Sequence, residues 1–389
     1  MARADVFSWA LLWLMLLLVV GTLAQKYIGL YQAHRLYFDA WFIWLGGFIP
    51  LPGTRFVLLY MFLALLAKLG LQAWTRHNAG SLVVHIGAML LLLGGFITGV
   101  SSTEGSMLLD EGGRSAAMAD YYKVELAILD ETTADAPLTV AVFNEDMLTE
   151  NAVLRHDAMP FDVTIEGFYR HVAPTRRAAI IDDANGVAVH GMRKAIQLKS
   201  MPRMVEEEAN LSGLDFTLMA HKSADTDNSP APIDGAYSLI ESAPVIQSIE
   251  QNGRVYRLYL RHAQSVLPFS VTLKDFRKQS HPGTMQARSY ESDVMVQDGD
   301  LTWDSTISMN SPLRYKGYTL YQASFLQRQD GNEASVFAVV RNHGRLFPYI
   351  STIIMCAGLL LHLILRLPRL TAPHSGRKEA AAATKEEDA

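Results

Sequence analysis

The stretch SLVVHIGAMLLLLGGFITGV, from Ser81 to Val100, decides the fold of this chain. It contains no Asp, Glu, Lys or Arg, and its 20 residues match the length that an α-helix needs to cross the hydrocarbon core of a bilayer. The stretch therefore predicts a transmembrane helix. One ionisable side chain, His85, lies inside the apolar run.

Three further apolar runs are long enough to span a bilayer: Val6 to Ala24, Phe56 to Leu71 and Leu346 to Leu367. The first run also resembles the core of a signal peptide, but it is long for one and is followed by a weak cleavage site, which favours a retained anchor. The sequence thus predicts a membrane α-helical part of four transmembrane helices. Three are N-terminal, within residues 1–100, and one is C-terminal, at residues 346–367.

Composition supports a membrane protein with a large water-exposed part. Half of the 389 residues are hydrophobic and 19% are charged, against about 25% in soluble domains. This richness in apolar residues excludes a disordered chain. A net charge of −5 argues against a basic nucleic-acid-binding protein. A single cysteine excludes an intramolecular disulfide framework, a Cys-x-x-Cys couple and an iron–sulfur cluster.

Lysine and arginine near the ends of the apolar runs predict the orientation, since these residues concentrate in cytoplasmic loops. One side has seven of them: Arg3, Lys68, Arg76, Arg366, Arg369, Arg377 and Lys378. The loop between the first two spans has Lys26, Arg35 and Arg55. Both termini are therefore expected in the cytoplasm, with residues 101–345 outside it. The polar end, residues 368–389, is expected to be a disordered cytoplasmic tail.

Residues 101–345 are expected to form a large extracytoplasmic all-β domain. Short alternating runs such as YKVELAILD and FSVTLKDF are typical of strands, and Asn-Gly, Pro-Gly and Asp-Gly pairs separate them. Many strands without helical runs predict a sandwich-like arrangement. The polar stretch Ser223 to Asp234 is expected to be a surface loop.

The loop at residues 25–55 is rich in aromatic side chains, which gather at the headgroup level of membranes. We interpret Gly29 to Trp44 as a helix lying on the outer interface. Two roles stay open for it: a plain interfacial anchor, or a ledge that holds a flat ligand or a partner.

His85 and His362 are the candidate binding residues, because ionisable side chains inside apolar spans are costly and usually mark a function. Each lies about 6 Å inside the cytoplasmic end of its run at 1.5 Å per residue. Neutral imidazole is a common axial ligand of haem iron, so the two rings either share one metal or each meet a ligand from another subunit. The alternative is a histidine bonded only to a backbone carbonyl or to Ser81.

Glycine spacing predicts where His85 points. Gly80, Gly87 and Gly94 recur every seven residues, and small residues let transmembrane helices approach closely. His85 is two positions from Gly87, about 200° around the helix. If the glycine face packs on the chain's own helices, His85 faces lipid or a partner protein, and the cost of an ionisable side chain in lipid favours the partner.

At the exit of the third span, HIGAMLLLLGGFITGVSSTEGSMLLDEGG resembles the ResB family of System II cytochrome c biogenesis proteins. SPLRYKGYTLYQASF, from Ser311 to Phe325, is similar to the family's signature near the end of its outer domain. PLPG, at residues 50–53, is a third match, and the layout of three spans, an outer domain and one span also agrees.

The resemblance implies a membrane subunit of a cytochrome c synthase (haem lyase) complex in the bacterial inner membrane, with its large domain periplasmic. Family members work with a CcsA/ResC-type multispan partner, take up b-type haem at the cytoplasmic side and present it to apocytochrome c. It also implies that His85 is an axial haem ligand, opposed by a histidine of the partner. The family's tryptophan-rich haem motif belongs to the partner, which leaves this chain an accessory, non-catalytic subunit.

One alternative belongs to another functional class. The chain would then be a scaffold that binds no haem and positions the partner or apocytochrome c through its β domain. The pairing of His85 with His362, rather than with a partner histidine, also stays open.

Overall fold

A computed structural model describes residues 4–76, 78–132, 138–184, 186–221, 231–241, 243, 247–283, 287–327 and 333–371. The chain divides into two compact units. The helical unit comprises Met1–Gly21, Arg35–Ser102 and Asn342–Ala389, and the β unit comprises Thr22–His34 and Thr103–Arg341.

Within the described residues, four helices are long and apolar enough to cross a membrane, as expected. The helices are α1 Ala4–Ile28, the short α2 Leu30–Ala33 followed by a π-helical turn His34–Phe38, α3 Thr54–Leu71, α4 Ala79–Ser101 and α5 Phe347–Thr371. The last helix continues four residues beyond the predicted end at residue 367. Residues 372–389 of the expected tail lie outside the described part of the chain.

The segment between α1 and α3 differs from the expected interfacial helix. Gly29 has φ 81° and interrupts the helix, and the chain then forms the hairpin β1 Phe42–Leu45 and β2 Ile49–Pro52. The turn is Gly46–Gly47, with φ 65° and 82°. A Gly-Gly pair between short apolar runs is a hairpin signal, because both positions of a type I′ turn need positive φ. The expected helix over Gly29 to Trp44 is therefore confirmed only from Leu30 to Phe38 and was wrong for the part that forms β1.

The β unit contains eighteen described strands of very different lengths. They are β3 Thr103–Asp110, β4 Arg114–Asp130, β5 Leu138–Asn144, β6 Val153–Leu154, β7 Phe161–Tyr169, β8 Val172–Arg176, β9 Asp183–Ala184, β10 Val187–Ala188, β11 Ile196–Ser200, β12 Gly213–Ala220, β13 Gly235–Ile240, β14 Gln247–Gln251, β15 Arg254–Ser280, β16 Ala287–Asp298, β17 Leu301–Ser308, β18 Leu313–Tyr315, β19 Tyr318–Gln327 and β20 Glu333–Arg341.

The main sheet has ten strands in the order β17-β16-β15-β4-β3-β20-β19-β18, with β14 added to β15 and β5 to β4. Its two ends meet: β17 lies against β18 and β19, and Ser308 bridges to Ser311. The sheet is therefore nearly barrel-shaped. This confirms a β-rich domain, but not the expected sandwich, because strand content alone leaves the curvature of a sheet open.

Two hydrophobic cores fill the β unit. One lies inside the curved sheet and includes Met107, Val271 and Phe337. The other packs the four-stranded sheet β13-β12-β7-β6 on strands β4, β5, β14 and β15, and includes Leu126, Phe161 and Phe216. In β4 the alternating apolar residues Val124, Leu126 and Ile128 are buried, and so are Glu125 and Ala127 between them.

Replacing Phe337, which is fully buried, by alanine is expected to lower the free energy of unfolding by about 3–5 kcal/mol. The loss arises because the side chain leaves a cavity that the curved sheet fills only in part. Chemical denaturation of the full chain in detergent, followed by near-UV circular dichroism, measures it. Val266→Ala, at a site 79% exposed, is the control and should change stability by no more than about 0.5 kcal/mol. Equal effects of the two substitutions would contradict the assigned core.

Candidate haem-binding site in the helical unit

Helices α4 and α5 pack directly on each other through the seven-residue glycine repeat. An added Cβ at Gly80 would clash with the backbone of His362, one at Gly87 with Met355, and one at Gly94 with Phe347. From α5, a Cβ at Gly358 would lie 2.7 Å from the backbone nitrogen of Val84. The residue numbers fall on one helix as they rise on the other, so the helices run antiparallel. The expectation that the glycine face packs on the chain's own helix is confirmed.

The His85 ring has one nitrogen bound and one without a partner. Nδ1 lies 2.5 Å from the carbonyl oxygen of Ser81, one turn earlier in α4. Since a carbonyl only accepts hydrogen bonds, Nδ1 carries the proton and donates it. In the neutral ring Nε2 then keeps its lone pair, and no partner for it is recorded among the described residues. Histidines that bind metals usually donate their other ring N–H in this way.

The side of α4 that carries His85 is only partly covered by the chain itself. Leu92, about two turns further along and nearly on the same side, packs with Leu17 of α1 and Val57 of α3. Phe96, about three turns from His85, is 67% exposed, and added Cβ atoms at Gly95 and Gly99 would meet nothing within 4 Å. His85 itself is half-buried. This side of the helix therefore leaves room for a second molecule.

His362 lies in the α4–α5 contact, beside Gly80. Its Nδ1 is buried and has no hydrogen-bond partner in the described part of the chain. Buried polar atoms are nearly always paired, so an unpaired imidazole nitrogen needs a specific explanation such as a missing ligand.

The structure does not bring the two histidines together. His362 lies level with Gly80, and His85 is five residues further along α4, which corresponds to about 7.5 Å along the axis and about 140° around it. The backbones of the two histidines therefore lie at different positions along α4 and on different sides of it. This arrangement favours separate partners for the two rings over a shared metal ion.

The aromatic segment outside α1 is already occupied in part. Within the β unit, the ring of Tyr31 stacks on Tyr122 at 4.5 Å between centroids, and the guanidinium of Arg203 lies 5.0 Å above Tyr31. The ring is therefore already in contact with an aromatic ring and a guanidinium. Tyr31 is thus not a free ledge for a flat ligand, and it attaches the segment after α1 to the β unit.

The β unit contains a partly buried acid–base pair that the sequence does not mark. Nε2 of His262 lies 2.7 Å from Oε1 of Glu241, whose side chain is 7% exposed. The hydrogen bond to Glu241 raises the pKa of His262, although burial opposes this. Burial raises the pKa of Glu241, but the hydrogen bond and charge of His262 outweigh it and leave that pKa lowered. The two residues are far apart in sequence, so no local motif marks the pair.

The pair makes a pH-dependent contribution to stability. A raised histidine pKa gives stabilisation that is complete below the ordinary value of 6.5 and is lost as the pH rises through the raised pKa. A lowered glutamate pKa gives stabilisation that is complete above 4.5 and is lost as the pH falls through the lowered value.

His262→Gln is therefore expected to lower the unfolding temperature of the full chain by a few degrees at about pH 6, with a smaller difference at about pH 9. Thermal unfolding followed by circular dichroism in detergent measures both. The control is His343→Gln, at an exposed position. A difference that grows with pH would contradict the assigned pair.

The surface cavities in the described part of the β unit include two of similar volume. The first, of about 500 Å³, is lined by Val266, Leu267, Pro268, Lys316, Tyr318 and Arg341. The second, of about 480 Å³, is lined by Arg155, His156, Asp157, Asp162 and His221. The described ranges contain no group of three His, Cys, Asp or Glu side chains arranged to hold a metal ion.

Comparison with known proteins supports one family. Residues 245–334 match the model of the ResB-like family. Protein NrfI of Wolinella succinogenes is 30% identical over 100 residues, which make up 25% of this chain and 11% of that protein. This chain therefore spans only about a tenth of that relative. The family match contains the motif Ser311 to Phe325, whereas His85 and the PLPG segment lie outside it. The resemblance to the ResB family is confirmed, through residues 245–334 of the β unit.

Proposed function

We propose that this chain is the haem-handling membrane subunit of a System II cytochrome c synthase complex. It helps to take up haem at the cytoplasmic side of the bacterial inner membrane and passes it to a CcsA/ResC-like partner for covalent attachment to apocytochrome c. The observation that carries the proposal is the state of His85: an imidazole inside an apolar helix, with Nδ1–H donated to Ser81 and Nε2 without a partner.

Haem is the cargo in this proposal, and the residues present fit it. The porphyrin is apolar at its faces and carries two propionates at one edge. In this proposal the partner and the open side of α4 together bury the faces, and Nε2 of His85 supplies a lone pair to one side of the iron. Because Ser81 fixes the ring through Nδ1, the ligand is held in its binding tautomer before haem arrives.

The depth of His85 agrees with an entry site. Helix α4 begins at Ala79, so His85 lies about 9 Å along the helix from that end. With the predicted orientation this end is cytoplasmic. Arg76, which is exposed just before the helix, is placed to meet a propionate, since arginine binds carboxylates through a planar fork.

The second axial ligand comes from the partner in this proposal. His362 lies on the other side of α4, and the described residues offer no further histidine beside His85. A bis-histidine site of this kind forms only when the multispan partner covers the open side of α4. Haem is therefore bound transiently and shared, and this chain acts as an accessory subunit whose own residues position the cargo.

The β unit then faces the periplasm, where apocytochrome c arrives. Its role in the complex is to bind or position the partner and the apocytochrome. The family match lies in this unit, which supports its participation in cytochrome c biogenesis.

A deletion strain tests the proposed function. Removal of the chain is expected to lower covalently bound cytochrome c haem at least about tenfold, measured by haem-stained gels, while immunoblots still detect the apocytochrome. Expression of the wild-type chain from a plasmid should restore the signal. Unchanged haem staining in the deletion strain would contradict the proposal.

A further inference from the structure

The β1–β2 hairpin carries an apolar surface that the described part of the chain covers only in part. Phe42 is 50% exposed, Trp44 61%, Leu45 58% and Phe48, beside the turn, 75%. The opposite face of β1 rests on the chain's own helices, because Ile43 packs with Leu17, Val57 and Met61. Successive strand residues point to opposite faces, so Phe42 and Trp44 share the other face of β1. The ring of Phe42 contacts Phe56 of α3, with 5.7 Å between the centroids, and Trp44 is the more exposed of the two.

The register of the hairpin shows which edge has free backbone groups. Gly53 donates its N–H to the carbonyl of Trp41 at 2.8 Å, so this rung is hydrogen-bonded. Hydrogen-bonded and non-bonded rungs alternate in antiparallel pairs. The rungs Phe42–Pro52 and Trp44–Pro50 are therefore non-bonded, and their backbone groups point outwards from the hairpin.

The two outer edges of the hairpin differ in the number of backbone N–H and C=O groups that they leave without a hydrogen-bond partner. On β2 the outward residues are Pro50 and Pro52, which have no N–H to leave unpaired. The carbonyl of Pro52 accepts a hydrogen bond from Trp13 Nε1 at 2.9 Å, so the β2 edge faces α1. On β1 the N–H and C=O groups of Phe42 and Trp44 point away from α1, and no partner for them is recorded in the described chain.

The hairpin lies alongside the apolar part of α1. Trp13 is eight residues, about 12 Å, from Asp5, the first residue of the candidate span Asp5–Ile28. Gly21 of the same helix is in contact with Tyr37 and Phe38. The chain thus turns back along α1 before it forms the hairpin. If α1 spans the membrane, as in the proposed function, the hairpin begins at a depth where α1 is surrounded by hydrocarbon.

Lipid does not cover the β1 edge, because acyl chains cannot satisfy N–H and C=O groups and open sheet edges do not face hydrocarbon. Bulk water does not cover it either, since Trp44 and Phe42 make the same surface strongly apolar. A protein surface supplies both apolar contact and hydrogen bonds.

We infer that the β1 edge and its aromatic face, Phe42 and Trp44, form the contact for a helical integral membrane protein, which places small or polar hydrogen-bonding residues against the edge. Aromatic anchors at the centre of an interface carry a large share of binding energy, so Trp44 is the main anchor. The inference rests on the proposed function for the membrane placement and names the surface through which the partner binds.

Photocrosslinking in membranes tests the surface. The full chain, with p-benzoylphenylalanine at position 44, is co-expressed with a tagged CcsA/ResC-like partner and irradiated. We expect an adduct of the chain with the tagged partner. The same label at Met219, 59% exposed on β12, is the matched control and should give no adduct.

Trp44→Ala gives an independent readout. It is expected to lower co-purification of the tagged partner at least about tenfold, while Trp74→Ala, at a site 65% exposed after α3, leaves it unchanged. The unfolding temperature of each variant shows that it is folded. The interface would be overturned if the wild-type chain retains the partner, position 44 forms adducts only with lipid, and Trp44→Ala has no effect on co-purification. That result would not contradict the proposed function. A wild-type chain that never retains the partner would overturn both.

Discussion

His85→Ala is expected to lower the yield of holocytochrome c at least about tenfold, equivalent to about 1.4 kcal/mol of lost haem binding. The substitution removes Nε2, the one nitrogen of this ring that has no partner within the described chain, and leaves the helix intact because alanine is the best helix former. Haem-stained gels of membranes from a deletion strain that carries the variant measure the yield. Imidazole in the growth medium should restore part of it, since a free ring enters the space that His85 leaves.

Two controls separate ligation from folding. His343→Ala changes an exposed histidine outside the spans and should keep the wild-type yield. Immunoblots should show equal amounts of the wild-type and His85→Ala chains in the membrane. Normal yield from a well-expressed His85→Ala chain would remove haem ligation from this residue and favour a scaffold that binds no haem.

Gly94→Leu is expected to destabilise the helical unit by about 1–3 kcal/mol or more, because any side chain at this position overlaps Phe347 of α5 and forces the two helices apart. The adjacent residue provides the control. Gly95→Leu adds the same side chain where an added Cβ meets nothing within 4 Å, and it raises helix propensity equally.

Thermal unfolding of the full chain in detergent, followed by circular dichroism at helical wavelengths, measures the difference between the two leucine variants. We expect a lower unfolding temperature for Gly94→Leu and little change for Gly95→Leu. The same unfolding temperature for both would show that the glycine repeat does not set the α4–α5 contact.

The spans and the glycine contact could be predicted from sequence because each depends on local composition. Twenty apolar residues around His85 have one low-energy structure in a membrane, and the seven-residue spacing of Gly80, Gly87 and Gly94 places them on one side of any helix. Asn252–Gly253 likewise marks the turn between β14 and β15, with φ 53° and 72°.

Other features depend on contacts between distant residues, and the sequence does not display them. The near-closure of the main sheet requires β17 to meet β18 and β19 after a long path through the sheet. The pairing of Glu241 with His262 and the stacking of Tyr31 on Tyr122 are also set by the tertiary fold. The β1–β2 hairpin was predictable in principle, since Gly46–Gly47 gives a local turn signal that aromatic composition obscured.

The depth of the two histidines illustrates the limit of counting along a sequence. Measured from the ends of the apolar runs, His85 and His362 lie equally deep. The helices begin and end at other residues, and the α4–α5 register sets His362 level with Gly80 rather than with His85. The packing between two helices decides which side chains meet. Sequence periodicity predicts the side of each helix that packs, but not how far one helix is shifted along the axis of the other.

The absorption spectrum of the purified complex tests haem ligation by His85 most directly. The chain is purified with its CcsA/ResC-like partner, and haem content and spectrum are recorded for the wild type and for His85→Ala, with and without added imidazole. We predict bound haem in the wild type, its loss in His85→Ala, and its return with imidazole. Equal haem content and identical spectra in the wild-type and His85→Ala complexes would contradict ligation by His85.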